Sequence, residues 1–251
     1  MSFFTFTKLG RTLLMLSAAV LVVGMFGCGG GDDSNPANNN GGNNTGGNNN
    51  NNGGNSVVGN NNCVSGDSCK SAVMPDGKRW ITENLNVKTA NSWCYGEGGQ
   101  VVVDFELVTL TPSQVQANCN TYGRLYTWTA AKAACQWVGM RLPTREEWNA
   151  LVTAAGGIST AGSKLKSSTG WKSYSGISST DEFHFSALPG GSRNSAGRFY
   201  YAGSDGIWWT ATEYGTGYAY FRIMGHYYDD VDEYNNDSDK SNGFSARCVQ
   251  D

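Results

Sequence analysis

The segment DDVDEYNNDSDK, residues 229–240, crowds six carboxylates into one short run: Asp229, Asp230, Asp232, Glu233, Asp237 and Asp239. Hard oxygen donors at this density suit Ca²⁺. Asp229, Asp232, Asp237 and Asp239 are the expected ligand set if an ion binds. The glycine-containing spacing of an EF-hand is absent, and a solvated acidic loop explains the run without any ion. A second chemistry lies in the aromatics that crowd the last third of the chain. Tyrosine and tryptophan present flat CH/π surfaces to sugar rings, and Trp209, Tyr214, Tyr218 and Tyr228 are the expected ligand contacts. Core packing competes for every one of them. Strand neighbours face opposite ways, so of Trp208 and Trp209 one is expected inside and one outside.

Catalytic patterns are not found. The chain has no G-x-S-x-G elbow, no H-E-x-x-H and no phosphate loop. The acid pairs Asp181-Glu182 and Glu146-Glu147 would serve a glycosidase only at a suitable separation in space. Glu147 already has a role as a helix cap, and His226 reads as a strand residue. No catalytic residue is expected, and no cofactor is required beyond the optional Ca²⁺. A net charge of −3 with no basic run argues against nucleic acid as a partner.

Seven cysteines occur. Setting Cys28 aside leaves an even number, which in an exported chain reads as a disulfide framework. Six cysteines admit about 15 pairings, and sequence alone does not choose among them. Cys63 and Cys69 bracket a short VSGDS loop, and Cys94 and Cys119 flank an apolar, β-prone insertion, QVVVDFELVTL. Local pairing of both leaves Cys135 with Cys248, a closure worth about 4–5 kcal/mol on the chain-entropy model. Zinc is disfavoured, because no C-x-x-C occurs and neither His184 nor His226 lies near a cysteine cluster.

The elements that would position these groups are legible in part. TPSQVQANC opens a helix with Thr111 as cap, Pro112 at the first helical position and Gln114 at the third. TWTAAKAACQWVG puts Trp128, Ala131, Cys135 and Val138 on one face, capped by Thr127 or Thr129 and stopped by Gly139. In RLPTREEW, Thr144 stands three residues before Glu147, a capping box. Trp148, Leu151, Val152 and Ala155 then follow at helical spacing, up to Gly156-Gly157. Three helices are thus expected, followed from Gly170 by aromatic strands and turns. The fold class is α+β, with early helices and a twisted, mostly antiparallel sheet.

RLPTREEW, ALPGGSR and GFSARC resemble segments of the formylglycine-generating enzyme superfamily, which shares the C-type lectin fold. DGKRWITENLNV, YGRLYTWTAA, RLPTREEWNAL, AGSKLKSSTGW, FSALPGG, WWTATE and GFSARCVQD resemble, in order, the FISUMP family (Fibrobacter succinogenes major paralogous domain) over roughly residues 73–251. The resemblance implies a C-type-lectin-like frame, disulfide-stapled, with Cys135 and Cys248 at the position of that fold's long-range link. It implies exported lipoproteins and assigns no chemistry. The catalytic cysteine pair of formylglycine-generating enzymes has no counterpart, since no cysteine lies between Trp208 and Ser245. The Glu-Pro-Asn or Gln-Pro-Asp and Trp-Asn-Asp patterns of calcium-binding lectins are also missing.

The N-terminus fits export. Lys8 and Arg11 precede the apolar run LLMLSAAVLVVGMFG, too short to span a membrane comfortably, and Gly27-Cys28 resembles a lipobox, with Met25 and Phe26 in place of the usual Leu and Ala or Ser. Residues 1–27 are the expected lipoprotein signal peptide, with Cys28 the lipidation site. Residues 28–62 are a Gly/Asn-rich linker and 63–251 one globular domain. The reading is a non-catalytic envelope lipoprotein, anchored in the outer membrane by its lipid, with surface display left open. Its domain would bind an extracellular polysaccharide, or alternatively serve as a structural or adhesive module for a surface protein.

Overall fold

A computed structural model describes residues 69–232 and 238–251. The first pieces are small. β1 (Ser71–Val73) and β2 (Arg79–Ile81) form a hairpin, while β3 (Ser92–Cys94) waits for a later partner. β4 (Gln100–Val103) and β5 (Glu106–Val108) form a second hairpin, which is the apolar insertion. Helix α1 (Pro112–Tyr122) then starts on Thr111 with a complete capping box and ends at Gly123. A Cβ on Gly123 would lie 2.7 Å from the Leu85 carbonyl oxygen and 2.8 Å from that of Asn84, so only glycine lets the two backbones meet there. β6 (Arg124–Tyr126) leaves this turn and pairs antiparallel with β3.

Helix α2 (Trp128–Trp137) is capped by Thr127, and α3 (Arg145–Ala154) by Thr144 in a second capping box with Glu147. A fourth helix, α4 (Ile158–Leu165), follows directly on Gly157. It goes beyond the three expected, because Gly156-Gly157 ends one helix and begins the next. β7 (Ser192–Arg193), β8 (Arg198–Tyr200), the long β9 (Asp205–Tyr214) and β10 (Tyr218–Gly225), and β11 (Ser238–Asp239) complete the fold. The domain is α+β. Its strands form four small sheets among the described residues instead of one, with β4–β8 the parallel exception in otherwise antiparallel pairing.

The β9–β10 hairpin divides two cores. Trp209 and Ile207 pack with α2 residues Ala131, Ala134 and Cys135; Trp208 and Met224 pack with Trp148, Leu151 and Leu165 of α3 and α4. Both tryptophans are therefore fully buried. The expectation that one would face outward is corrected: the two do face opposite ways, but helices cover both faces of the strand.

Residues 243–249, irregular in themselves, tie these parts together. Phe244 exchanges backbone hydrogen bonds with Tyr126, and Val249 with Arg141; Ser245 donates to Ile207 and accepts from Trp209. Leu85 and Ile81 donate to Ala246 and Cys248. Cys248 is bonded to Cys135, and Cys94 to Cys119, as expected. Cys69 is disulfide-bonded, and Cys63, its expected partner, lies outside the described residues. So does Cys28.

Candidate functional site: an aromatic turn at the foot of the long hairpin

β10 ends at Gly225, opposite Asp205 on β9, and the chain then turns through His226, Tyr227 and Tyr228. The turn is held from below. Lys166, only 1% exposed at the end of α4, donates through Nζ to the carbonyls of Gly225 at 3.1 Å and Tyr228 at 2.6 Å. Its ammonium also lies 5.3 Å from the Trp171 ring centre. Burial lowers the Lys166 pKa, and the nearby Asp229 and Asp230 carboxylates oppose the shift. From the other strand, the Ser204 carbonyl accepts the His226 N–H at 2.8 Å.

This fixed turn displays a cluster of rings. Tyr227 lies 4.3 Å from Tyr228 and 4.7 Å from His226, while Tyr174 sits 6.1 Å from both His226 and Tyr227, centre to centre. Tyr174, Tyr227 and Tyr228 remain 50%, 40% and 46% exposed. The buried side of the cluster is electrostatically tuned. Burial pushes the Asp205 carboxyl up to about 6, against the pull of Lys172. Burial also lowers the His226 pKa, opposed by the polar Ser204 backbone and helped by Lys172 and Lys166. His226 Nδ1 is buried without a hydrogen-bond partner. The surface is a rigid patch of phenol rings with a neutral imidazole behind them, suited to stacking against a flat, uncharged ligand.

The four expected contacts do not form one site. Trp209 is wholly interior: its ring lies 4.4 Å from Phe244 and its indole N–H donates to the Tyr126 carbonyl. Tyr214 and Tyr218 are exposed cross-strand partners at the hairpin tip, where Tyr220 joins them. Tyr228 belongs to the other end, about 20 Å away along the strands. Tyr227, absent from the expected set, is its neighbour, and Tyr174, also absent, packs in turn on Tyr227. Tyr227 was legible as an adjacent tyrosine, whereas Tyr174 reaches the site through a loop with no sequence signal.

The expected calcium ligands are likewise spread out. Asp239, on β11, pairs with Tyr218 at the tip and accepts the Ser241 amide at 2.8 Å and its hydroxyl at 2.7 Å. Asp232 bridges to Ile223 in mid-strand, and Asp229 follows the foot, beside Lys166. Asp237 lies outside the described residues. Among the described residues no group of three or more His, Cys, Asp or Glu side chains could hold a metal ion. The physical reason is that β10 runs its full length between the first and last of these carboxylates.

A cleft of about 840 Å³ opens elsewhere, between α1 and the loop after β3, lined by Asn86, Glu97, Gln100, Gln116 and Asn120. Glu97 there is committed to Arg124 at 2.7 Å and to the Cys94 amide. Three of the four acids weighed as glycosidase groups have structural partners: Glu147 binds Arg141, Asp181 accepts from Ser186, and Glu182 meets Lys164.

Residues 75–250 match the family model described as Fibrobacter succinogenes major domain, well over half of the chain. The chain belongs to that family. No curated protein and no solved structure matches it. The segments shared with the FISUMP family are the ones that build the frame. Asn84, in the ENLNV segment, donates to the Tyr122 and Leu188 carbonyls and accepts from Trp208 and Arg247. Arg247, fully buried in GFSARC, donates to the carbonyls of Ile81, Phe185 and Ser186.

Proposed function

We propose that this protein is a non-catalytic, lipid-anchored envelope protein whose C-type-lectin-like domain binds an extracellular polysaccharide through Tyr174, Tyr227 and Tyr228. The observation that carries the reading is the half-exposed ring cluster on a turn fixed by a buried lysine. Three neighbouring phenols held partly in water are a preorganised stacking surface, with little left to order on binding. The patch is shallow, which fits the face of a polymer chain better than a small solute. Support for the lectin-like frame comes from the link between α2 and the closing segment through Cys135 and Cys248. Support for the anchor comes from the lipobox-like Gly27-Cys28 and the Gly/Asn linker behind it. Calcium has no part in this reading.

The test is retention of the full chain on insoluble cellulose, xylan and chitin, with Ca²⁺ and with chelator. Retention unaffected by chelator is expected, with the Tyr227→Ala/Tyr228→Ala variant losing about 10-fold in affinity, the equivalent of about 1.4 kcal/mol. Tyr214→Ala is expected to bind as the wild type does. Loss on chelation would move the site to the acidic segment. Retention on none of the polymers would favour a protein partner instead.

A further inference from the structure

The β4–β5 hairpin takes no part in the aromatic turn, yet it is the most exposed apolar feature described. Val103 is 48% exposed, Leu107 46%, Val108 38%, and the Phe105 side chain is entirely in water. β5 is the outer strand of its sheet, and all three of its residues are exposed. The two-residue turn places Asp104 at φ 48° and Phe105 at φ 69°. Turns of this kind favour Asn-Gly, and a phenylalanine in the left-handed region is disfavoured. Both the backbone conformation and the bare ring thus cost free energy that no contact among the described residues returns. The base of the hairpin is not slack. The Cys94–Cys119 bond and the Glu97–Arg124 pair hold the segments on either side of it. Natural edge strands are usually blunted by lysine or another charge, proline, a bulge or sheer shortness; β5 has no lysine, proline or bulge, and its three residues carry a single charge, Glu106.

We infer that the free edge of β5 pairs antiparallel with the same edge of a second copy, about a two-fold axis at Leu107. In a two-residue hairpin the closing pair, Val103 with Glu106, exchanges hydrogen bonds, and the next pair, Val102 with Leu107, does not. The Leu107 N–H and C=O therefore point away from β4, onto the free edge. Pairing Leu107 with its own copy makes two N–H···O=C bonds and sets Glu106 opposite the partner's Val108. No carboxylate then directly faces a carboxylate, and the edge is self-complementary in hydrogen bonding. A lipid bilayer fits this tip less well, because Asp104 and Glu106 flank the phenyl ring and would enter the hydrocarbon with it. The contact is smaller than the ~1,200 Å² of stable complexes, so the dimer is weak and depends on concentration. Added salt strengthens it by screening the two acidic hairpins from each other.

Sedimentation velocity of the purified full chain over a range from about 10 μM to about 1 mM tests this, at low and high salt. A monomer–dimer equilibrium shifted towards dimer by salt is expected. Leu107→Lys, which sets an ammonium against its own copy, should leave monomer at every concentration. Leu107→Pro removes only the edge N–H, tolerated on a free edge, and should weaken association at least about 10-fold. Melting temperatures of both variants should match the wild type, since Leu107 supports no core. A wild type that stays monomeric throughout overturns the inference, as does a dimer that neither substitution disturbs. Capture on lipid vesicles that Leu107→Lys abolishes, with no dimer in solution, would overturn it in favour of the bilayer.

Discussion

At the scale of single residues, Asp205 is a carboxyl out of step with water. Its carboxyl ordinarily titrates near 3.8, and burial at the foot of the hairpin pushes it up to about 6. Between those values the folded chain holds a proton that the unfolded chain has released. Stability contributed at low pH is therefore lost as pH rises through about 6. Asp205→Asn removes the ionisation, and thermal melts should show it about 2–6 °C above the wild type at pH 7.5 and level with it near pH 4. An unchanged melting temperature at pH 7.5 would mean that Lys172 fully offsets the buried charge. Little at this scale was legible in advance. The aromatic content announced exposed rings, but which tyrosines cluster depended on the loop bearing Tyr174 and on Lys166, a lysine that sequence patterns leave on the surface. Trp209 went astray for the same reason, because alternation says which way a ring points and not whether a helix lies there.

At the scale of elements, local chemistry carried further. The capping boxes at Thr111 and Thr144 and the Thr127 cap all form as the spacing implies. Each depends on residues three apart, and so on nothing distant. Glu147 shows how such a cap is recruited into tertiary structure. Its carboxylate accepts the Thr144 amide at 2.9 Å, takes both prongs of Arg141 at 2.7 Å and meets Lys78 at 3.1 Å. The Arg141 guanidinium holds its pKa down to about 2. A lowered carboxylate contributes stability above its unfolded value of 4.5 that is lost as pH falls towards 2. Glu147→Gln keeps the cap acceptor and loses the ion pairs. Its expected cost is about 1–2 kcal/mol at pH 7, a fall of about 2–8 °C that shrinks as the buffer approaches pH 2. The strands were less legible, because two- and three-residue strands have no period to display, and their partners lie far off in the chain.

At the scale of the whole molecule, the Cys135–Cys248 bond joins residues 113 apart in the chain, and both half-cystines are fully buried. Closing so long a loop is worth about 4–5 kcal/mol, against about 3.5 for the 25-residue span between Cys94 and Cys119. Replacing Cys135 and Cys248 by alanine should therefore lower the urea midpoint more than replacing Cys94 and Cys119; the reverse order would show that the short loop anchors the fold. The family segments were legible because they are the ones that meet at residues 243–249. Those residues follow every other element in chain order, yet both cores lean on them. A nascent chain that lacks them leaves Leu85, Tyr126 and Trp209 without their backbone partners and Cys135 without its mate. Folding must then wait until synthesis has passed this point, and a prematurely terminated product stays open to proteases. The last segment to be made in this domain is thus the one that lets its fold close.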